Sequence, residues 1–384
     1  MKTRNKRYDK SRLRLLCLLT ALLGIFGVGQ IWAQTKPSSG AGTQASPYQI
    51  ATADELRWFA GLVNGTLTDG TAQNAAAWAT LTGDINLSGE NWTPIGSEST
   101  PYTGTFDGAG YTISGMVVNN PDSECQGFVG ILRPGGAIQN LTLDETCTVS
   151  GGYYVGGVCG YNSSSTITNC SNRGTVSGSF NVGGVCGEND DDGTITNCSN
   201  SGKVSGSSNV GGVCGNNDSG TITNCSNSGT VSGGYYVGGV CGNNDFGTIT
   251  NCSNSGTVSG SGSNVGGVCG YNGGTIIDCY WLDTAYSTGI GSGSGEATAK
   301  TADQFASGEV TYLLNESKSE GDLAWYQNLG DDGDAFPVLD STHGTVYPTY
   351  RCDDGMTIIS YNNTGVKYGG HSYGDDGFCI YGCG

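Results

Sequence analysis

Apolar positions recur at a fixed spacing through the middle of the chain, in short runs separated by glycine, asparagine and serine. The pattern V-G-G-V-C-G occurs five times at intervals of 27 or 28 residues, beginning at Val155, Val182, Val210, Val237 and Val265. Each copy continues with T-I-T-N-C-S-N and G-x-V-S-G, and only the last copy diverges. Because the apolar residues lie in short β-prone runs without helical periodicity, this repetition predicts a stacked array of strand-containing units.

Each repeat contains three extended runs, which in the first copy are residues 155–159, 166–170 and 175–177. Three strands in about 27 residues fit one turn of a parallel β-helix, where each strand pairs with its equivalent about 4.8 Å away in the next turn. A β-propeller is the competing repeat fold, but each of its blades needs about 40 residues. The sequence therefore predicts an all-β protein, a right-handed parallel β-helix (β-solenoid) with coils of about 27 residues.

Stacking of equivalent strands predicts columns of identical side chains. One apolar column would contain Val158, Val185, Val213, Val240 and Val268, a second Ile167, Ile195, Ile222, Ile249 and Ile276, and a third Val176, Val204, Val231 and Val258. A polar column is expected at Asn169, Asn197, Asn224 and Asn251, where stacked amides can bond from coil to coil and satisfy backbone groups at a corner.

Two capped helices are predicted outside the repeats. Thr52 and Glu55 have capping-box spacing, apolar residues follow at helical intervals, and Gly65 closes the helix. Thr301 and Gln304 repeat the same signal after the array. Because an open solenoid end exposes strand edges and apolar core, we expect these helices to belong to caps at the two ends.

The repeat resembles the GLUG motif, a Gly-rich bacterial repeat of surface adhesins and of the N-terminal regions of some IgA-specific metallopeptidases. The resemblance rests on G-G-V-C-G-Y-N (156–162), T-I-T-N-C (166–170) and G-T-V-S-G (174–178), and a weaker copy precedes them at 127–130 and 138–141. It implies a surface protein of the adhesin type. The metallopeptidase chemistry is not implied, because neither His343 nor His371 lies in an H-E-x-x-H pattern.

The amino end has the pattern of a secretory signal. Seven basic residues and one acidic residue within the first 14 residues precede an apolar run, and we expect cleavage after Ala33. Removal of residues 1–33 leaves nine basic and 33 acidic residues. A protein this acidic repels phosphate backbones, so nucleic acid is a poor partner, and no membrane span is expected in the mature chain.

The predicted organisation has six parts. They are a signal peptide (1–33), a linker (34–46), an N-terminal cap helix with irregular first coils (47–125), the GLUG-type repeats (126–284), a C-terminal cap (285–348) and a tail (349–384). The predicted location is secreted or on the cell surface.

Ten of the sixteen cysteines lie in the repeats, two in each copy. They would form two structural columns: Cys159, Cys186, Cys214, Cys241 and Cys269, and Cys170, Cys198, Cys225, Cys252 and Cys279. Spacings of 10 to 12 residues without a repeated histidine do not favour metal sites. Two readings stay open, namely free thiols packed in the core and a disulfide within each coil.

The tail holds the one cluster of cysteine and histidine in the sequence, at Cys352, His371, Cys379 and Cys383. Four such ligands can bind Zn²⁺ tetrahedrally. The alternative is a disulfide in a small exported module, with one cysteine left over.

Aromatic residues precede V-G-G in three of the copies. They are Tyr153, Tyr154, Phe180, Tyr235 and Tyr236. Exposed rings on a rigid polar wall suit a sugar or a protein partner, whereas the same rings buried at a corner would only pack.

Candidate catalytic residues are few. The repeat cysteines lack a histidine or cation that would lower their pKa, and the histidines lie outside the array. Acidic residues at one corner, Asp190, Asp191, Asp192, Asp218 and Asp245, are expected in turns, with a hydrolase carboxylate pair or a Ca²⁺ site as alternatives. The sequence thus predicts a non-catalytic adhesin-like solenoid that binds a host glycan or surface protein, with a carbohydrate-active enzyme and a structural spacer as the alternatives.

Overall fold

A computed structural model describes residues 33–89, 91–351 and 357–369. The chain forms a parallel β-solenoid in which equivalent strands of successive coils pair in register, which confirms the predicted fold. The predicted signal sequence and the Cys352, His371, Cys379 and Cys383 cluster lie outside the described residues, apart from Ala33 at the proposed cleavage point.

Five parallel sheets run along the solenoid. Sheet 1 consists of Tyr48–Ile50, Ala79–Leu81, Thr105–Asp107, Ala137–Gln139, Thr166–Thr168, Thr194–Thr196, Thr221–Thr223, Thr248–Thr250 and Thr275–Ile277. Sheet 2 consists of Ile85–Asn86, Thr112–Ser114, Thr142–Leu143, Ser171–Asn172, Ser199–Asn200, Ser226–Asn227, Ser253–Asn254, Tyr280–Leu282 and Thr298–Lys300. Sheet 3 consists of Val117–Asn119, Thr148–Ser150, Thr175–Ser177, Val204–Ser205, Val231–Gly233 and Val258–Gly260.

Within a repeat, the chain passes from sheet 3 through strands of sheets 4 and 5. It then enters the sheet 1 strand of the next coil. Sheet 4 consists of Tyr153–Gly156, Phe180–Gly183, Ser208–Gly211, Tyr235–Gly238 and Val265–Gly266. Sheet 5 consists of Val129–Leu132, Cys159–Ser163, Cys186–Asp190, Cys214–Asp218, Cys241–Asn244, Cys269–Asn272 and Ile290–Gly293.

A coil therefore contains five short strands and not the three predicted runs. The predicted run 155–159 is divided between sheets 4 and 5, because the chain bends at Gly157 and Val158. Ser164 (φ 48°) and Asn169 (φ 53°) adopt the left-handed conformation and turn the chain before and after the sheet 1 strand. Left-handed residues of this kind shorten strands that alternation alone would extend.

Apolar columns fill the interior as the repeat predicts. Ile167, Ile195, Ile222 and Ile249 are completely buried, and consecutive members pair in register. The valine columns that contain Val158 and Val176 are buried in the same way. Inward burial of isoleucine and valine side chains on sheets 1, 3 and 4 provides the main stabilisation of the solenoid.

The polar columns differ from the prediction. In the predicted column, Asn169 Nδ2 donates to Asn140 Oδ1 of the preceding coil over 3.0 Å, but the Oδ1 atoms of Asn197 and Asn251, which have left-handed backbones, accept no hydrogen bond. Continuous amide ladders occur instead at two other asparagines of each repeat. The first amide ladder is Asn162, Asn189, Asn217, Asn244 and Asn272, and the second is Asn172, Asn200, Asn227 and Asn254. Within both ladders each Nδ2 donates to the Oδ1 of the next coil, over 2.6 to 2.8 Å.

Both helices predicted from capping boxes are present, after Thr52 and after Thr301. Helix α1 (Ala53–Asn64) begins after Thr52 with a complete capping box to Glu55 and ends at Gly65 in the left-handed conformation. Its apolar face packs on the first coils, where Phe59 lies edge-on to Tyr102 with 6.0 Å between ring centroids. Helix α1 thus covers apolar core at the amino end.

The carboxyl-side segment packs partly against the side of the solenoid. Helices α2 (Ala302–Ala306) and α3 (Glu309–Leu314) share an apolar cluster with Tyr280 and Trp325. A small sheet follows, formed by Tyr347–Arg351, Ile358–Asn362 and Tyr368–Gly369. At the end of the array Trp281 takes the position that Asn254 occupies one coil earlier, so an indole ends the second amide ladder.

Candidate ligand-binding surface

Three of the aromatic residues that precede V-G-G project outward from the same position of sheet 4 in different coils. Tyr153 pairs with Phe180, Phe180 with Ser208, and Ser208 with Tyr235, so the four side chains follow one line along the solenoid. Tyr153, Phe180 and Tyr235 are 45%, 40% and 58% exposed. We call Tyr153, Phe180, Ser208 and Tyr235 the aromatic stripe.

Two rings of the aromatic stripe are stacked. The rings of Tyr153 and Phe180 are nearly parallel, with an interplanar angle of 6° and 5.0 Å between centroids. The distance is close to the separation of neighbouring strands, because each ring projects from the same register position of successive coils. Apolar ring surface is therefore held in place and in contact with solvent.

The other two predicted aromatics pack beside the aromatic stripe. Tyr154 and Tyr236 lie within strands of sheet 4, where they have left-handed backbones (φ 56° and 51°) and are half-buried. Their rings pack edge-on against Tyr161 and Tyr271, with centroids 5.6 and 5.7 Å apart. The sequence left open whether these aromatic rings are exposed for binding or only pack. In the structure the rings of the aromatic stripe are exposed, whereas those of Tyr154 and Tyr236 pack beside it.

A buried carboxylate next to the aromatic stripe was not identified from the sequence. Glu188 is 7% exposed and accepts hydrogen bonds from Asn181 Nδ2 and from Asn216 Nδ2. Burial, together with the negative charge of nearby Asp190, raises the pKa of Glu188 to about 7. The sequence signal is a single acidic residue at a position that is Tyr or Asn in the other repeats.

The acidic corner lies partly outside the turns in which it was expected, because Asp190 and Asp218 end strands of sheet 5, whereas Asp191, Asp192 and Asp245 lie in the turns that follow. Tyr161 donates its hydroxyl hydrogen to Asp190, and Ser163 donates to Asp191 over 3.2 Å. Burial and the charges of Asp190 and Asp245 raise the pKa of Asp218. Among the described residues, no three His, Cys, Asp or Glu side chains lie close enough together to hold a metal ion.

The ten repeat cysteines lie in two buried columns and are free thiols. In the first column each thiol donates to the carbonyl two residues further along its own strand, as Cys159 does to Tyr161 over 3.3 Å. In the second column the sulfur also accepts from the coil before it, as Cys198 Sγ does from the Cys170 N–H over 3.4 Å. Burial raises the pKa of the Cys159 and Cys170 thiols well above the ordinary value, which keeps them protonated and unreactive.

A concave surface, separate from the aromatic stripe, lies between sheet 2 and the carboxyl-side segment. It is a cleft of about 410 Å³ whose solenoid side is a row of serines, with Phe336 and Leu339 on the opposite side. Two of these serines bond to each other from coil to coil, since Ser199 Oγ donates to Ser171 Oγ over 3.1 Å. Titratable groups are sparse there, with Arg173 and Asp334 at its margin.

Helices in the described part of the chain are short, and none has both the length and the apolar character needed to cross a membrane.

Comparison with known proteins identifies the repeats. The model of the GLUG motif matches residues 151–177, 178–205, 206–232 and 233–259, so this part of the chain is an array of GLUG motifs. The predicted relationship is confirmed for these four repeats.

Two curated relatives match part of the chain. A protein of Evansella cellulosilytica, provisionally named a Gly-rich membrane protein, is 30% identical over 158 residues, which are 41% of this chain and 18% of that protein. Halomucin of Haloquadratum walsbyi is 34% identical over 155 residues, which are 37% of this chain and 2% of halomucin. The chain thus matches a small fraction of the length of both relatives.

A solved structure shares the fold. It is a crystal structure of a protein from Bacteroides ovatus, provisionally named an immunoglobulin A1 protease. The TM-score is 0.59 at 22% identity, over 79% of this chain and 95% of the solved chain. This similarity supports the solenoid architecture.

Proposed function

We propose that this GLUG-repeat solenoid is a secreted or cell-surface protein that binds glycans through the aromatic stripe and does not transform them. The observation that carries the proposal is the exposed, stacked pair of Tyr153 and Phe180, with Tyr235 in the same register. Aromatic faces gain contact energy against the C–H face of a sugar ring. Because the strands already fix the rings, binding loses little conformational entropy.

The position of the rings supports a binding role over a packing role. Tyr154 and Tyr236 have ring partners at the corner, whereas Tyr235 is more than half exposed. Exposed large apolar side chains that lie in one line are typical of interaction sites. The names of the Evansella and Haloquadratum relatives and the signal-like amino end are consistent with an exported protein.

A carbohydrate-active enzyme is the second candidate, and the raised pKa of Glu188 near Asp190 is the observation that favours it. Paired carboxylates with different pKa values are the usual acid and base of glycosidases. Glu188, however, is almost inaccessible, and both of its oxygens accept hydrogen bonds from asparagines. A buried carboxylate bonded in this way is a poor proton donor to a polysaccharide.

The test is a glycan array probed with the chain lacking residues 1–33, combined with an assay for released reducing or unsaturated sugar. We expect binding without sugar release. Replacement of Tyr153, Phe180 and Tyr235 together by alanine should weaken binding by about 10-fold or more, given about 1 kcal/mol for each ring contact.

Phe246→Ala is the matched control, because Phe246 is 73% exposed but lies in a turn after sheet 5, away from the aromatic stripe. It should leave binding unchanged within about twofold, as expected for a surface residue without a role. Binding that survives the triple replacement would refute the proposal. Release of sugar by the unmodified chain would favour the enzyme instead.

A further inference from the structure

We propose that the aromatic stripe contains a slot between Phe180 and Tyr235, above Ser208, which takes one pyranose ring of a neutral glycan. This inference rests on the proposed function and names the subsite at which a sugar ring binds. It is independent of whether other rings of the glycan contact Tyr153.

The register of sheet 4 defines the slot. Tyr153 and Phe180 project from neighbouring coils, and their rings fill one coil spacing with 5.0 Å between centroids. Phe180 and Tyr235 are separated by one coil, which contributes Ser208 at the same position. Two coil spacings are about 9.6 Å, so a guest ring midway would lie about 4.8 Å from each aromatic ring. A guest ring therefore takes the place of the aromatic side chain that the third coil lacks.

On the sides away from the slot, both rings have close neighbours. Phe180 stacks on Tyr153 on its amino-terminal side. On the other side of the slot, the ring of Tyr235 lies against Gly262 of the next coil, where a Cβ atom would be 2.7 Å from Tyr235 Cδ1. A larger residue at position 262 would displace the ring. The second face of Phe180 therefore lies on the side of Ser208, and one edge of the Tyr235 ring lies on the side of Gly262.

The polar surroundings favour a sugar over a flat aromatic guest. Ser208 and Asn209 provide hydroxyl and amide groups at the base, and the Ser208 Oγ lies 3.3 Å from Asn209 Oδ1. Such groups suit the hydroxyls at the edge of a sugar ring.

The charge of the chain selects a neutral sugar. The strands Phe180–Gly183, Ser208–Gly211 and Tyr235–Gly238 contain no charged residue. The whole chain has a formal net charge of −18, and an anionic sugar would be repelled by that field. Uronic and sialic acids are therefore expected to bind more weakly than neutral hexoses.

The experiment compares Ser208→Tyr with Ser208→Ala. Tyrosine fills the slot and is tolerated at this register, because Tyr153 and Tyr235 occupy the equivalent positions. The probes are the methyl pyranosides of glucose, galactose and mannose, with methyl glucuronide as the anionic comparison, and binding is measured by saturation-transfer NMR. Circular dichroism checks that both variants fold.

We expect at least one neutral pyranoside to bind the unmodified chain and Ser208→Ala within about twofold of each other, and Ser208→Tyr to bind about 10-fold more weakly. Unchanged or tighter binding by Ser208→Tyr would overturn the slot, since a longer row of rings would then be the binding feature. Failure of all three neutral probes to bind the unmodified chain would also overturn it. Glycan-array binding that still depends on Tyr153, Phe180 and Tyr235 would leave the proposed function standing in either case.

Discussion

Asparagine side chains carry out two different tasks in each repeat. In the second amide ladder, Asn200 is 1% exposed, accepts from Asn172 Nδ2 and donates to Asn227 Oδ1, both over 2.8 Å. Three residues earlier, Asn197 turns the chain with φ 53°, and its Oδ1 accepts no hydrogen bond. Ladder amides satisfy buried polar groups, whereas turn amides permit a left-handed backbone.

Asn200→Ala should therefore lower the free energy of unfolding by about 2–4 kcal/mol, because it leaves the Nδ2 of Asn172 and the Oδ1 of Asn227 short of partners in the core. Asn197→Gly should change stability by less than about 0.5 kcal/mol, since glycine adopts the same backbone conformation freely. Chemical denaturation followed by circular dichroism measures both. Similar losses for the two variants would contradict the division of roles.

Glu188 introduces a pH-dependent term into this network. Its folded-state pKa of about 7 lies above the value of an unfolded glutamate, so the native chain holds the proton more tightly than the unfolded chain between about pH 4.5 and 7. Stability should therefore fall as pH rises through this window, by on the order of 2 kcal/mol, and level off above pH 7. Glu188→Gln should flatten the profile, while Glu296→Gln, at an exposed site, should preserve it. Thermal melts from pH 4 to 9 test this, and an unchanged slope in Glu188→Gln would contradict it.

At the scale of the strands, sheets 4 and 5 pack so closely that their junction excludes side chains. A Cβ atom at Gly187 of sheet 5 would lie 2.4 Å from the backbone nitrogen of Val155 in the preceding coil. Gly215 and Gly242 meet the backbone of sheet 4 at the same distance. The glycine of V-C-G is thus required by the close contact between sheets 4 and 5.

Gly187→Ala should destabilise the protein by about 2 kcal/mol or more, because backbone atoms of two sheets must move apart. Gly83→Ala is the control, since a Cβ atom there meets no other atom within 4 Å, and its effect should stay within about 0.5 kcal/mol. The midpoint of thermal unfolding reports both changes. A mild effect of Gly187→Ala would show that sheets 4 and 5 can separate at low cost.

Over the whole molecule, the repeated coils bury the two cysteine columns from end to end of the array. The columns run from Cys159 to Cys269 and from Cys170 to Cys279, and their members are free and buried. Reagents reach such thiols only when coils open. Cys125, which is partly exposed at the start of the array, is the internal reference.

We expect alkylation of the native protein to modify Cys125 slowly, because burial raises its pKa to about 12, but still before the ten column cysteines, and we expect all ten to become reactive in denaturant without reductant. Peptide mass mapping after timed alkylation gives the modification at each site. Column cysteines that stay unmodified in denaturant until a reductant is added would reveal disulfides and contradict the free-thiol columns.

The sequence by itself determined the repeat length, the parallel solenoid, the apolar columns and the residues at which helices α1 and α2 begin. These features depend on signals within short stretches of sequence, namely the spacing of Val and Ile and the capping boxes at Thr52 and Thr301. Such signals can be read without knowing which other parts of the chain are in contact. The aromatic residues before V-G-G were also recognised as candidates from the sequence.

Only the tertiary structure decided which side of the wall each residue faces. Tyr153 and Val155 should share a face in a regular strand, yet Tyr153 is 45% exposed and Val155 is completely buried. The left-handed backbone of Tyr154 reverses the alternation between them, and Asn169 turns its own amide away from the core in the same manner. Such reversals depend on contacts between coils, including the close approach of sheets 4 and 5, and these contacts exist only once the coils have stacked.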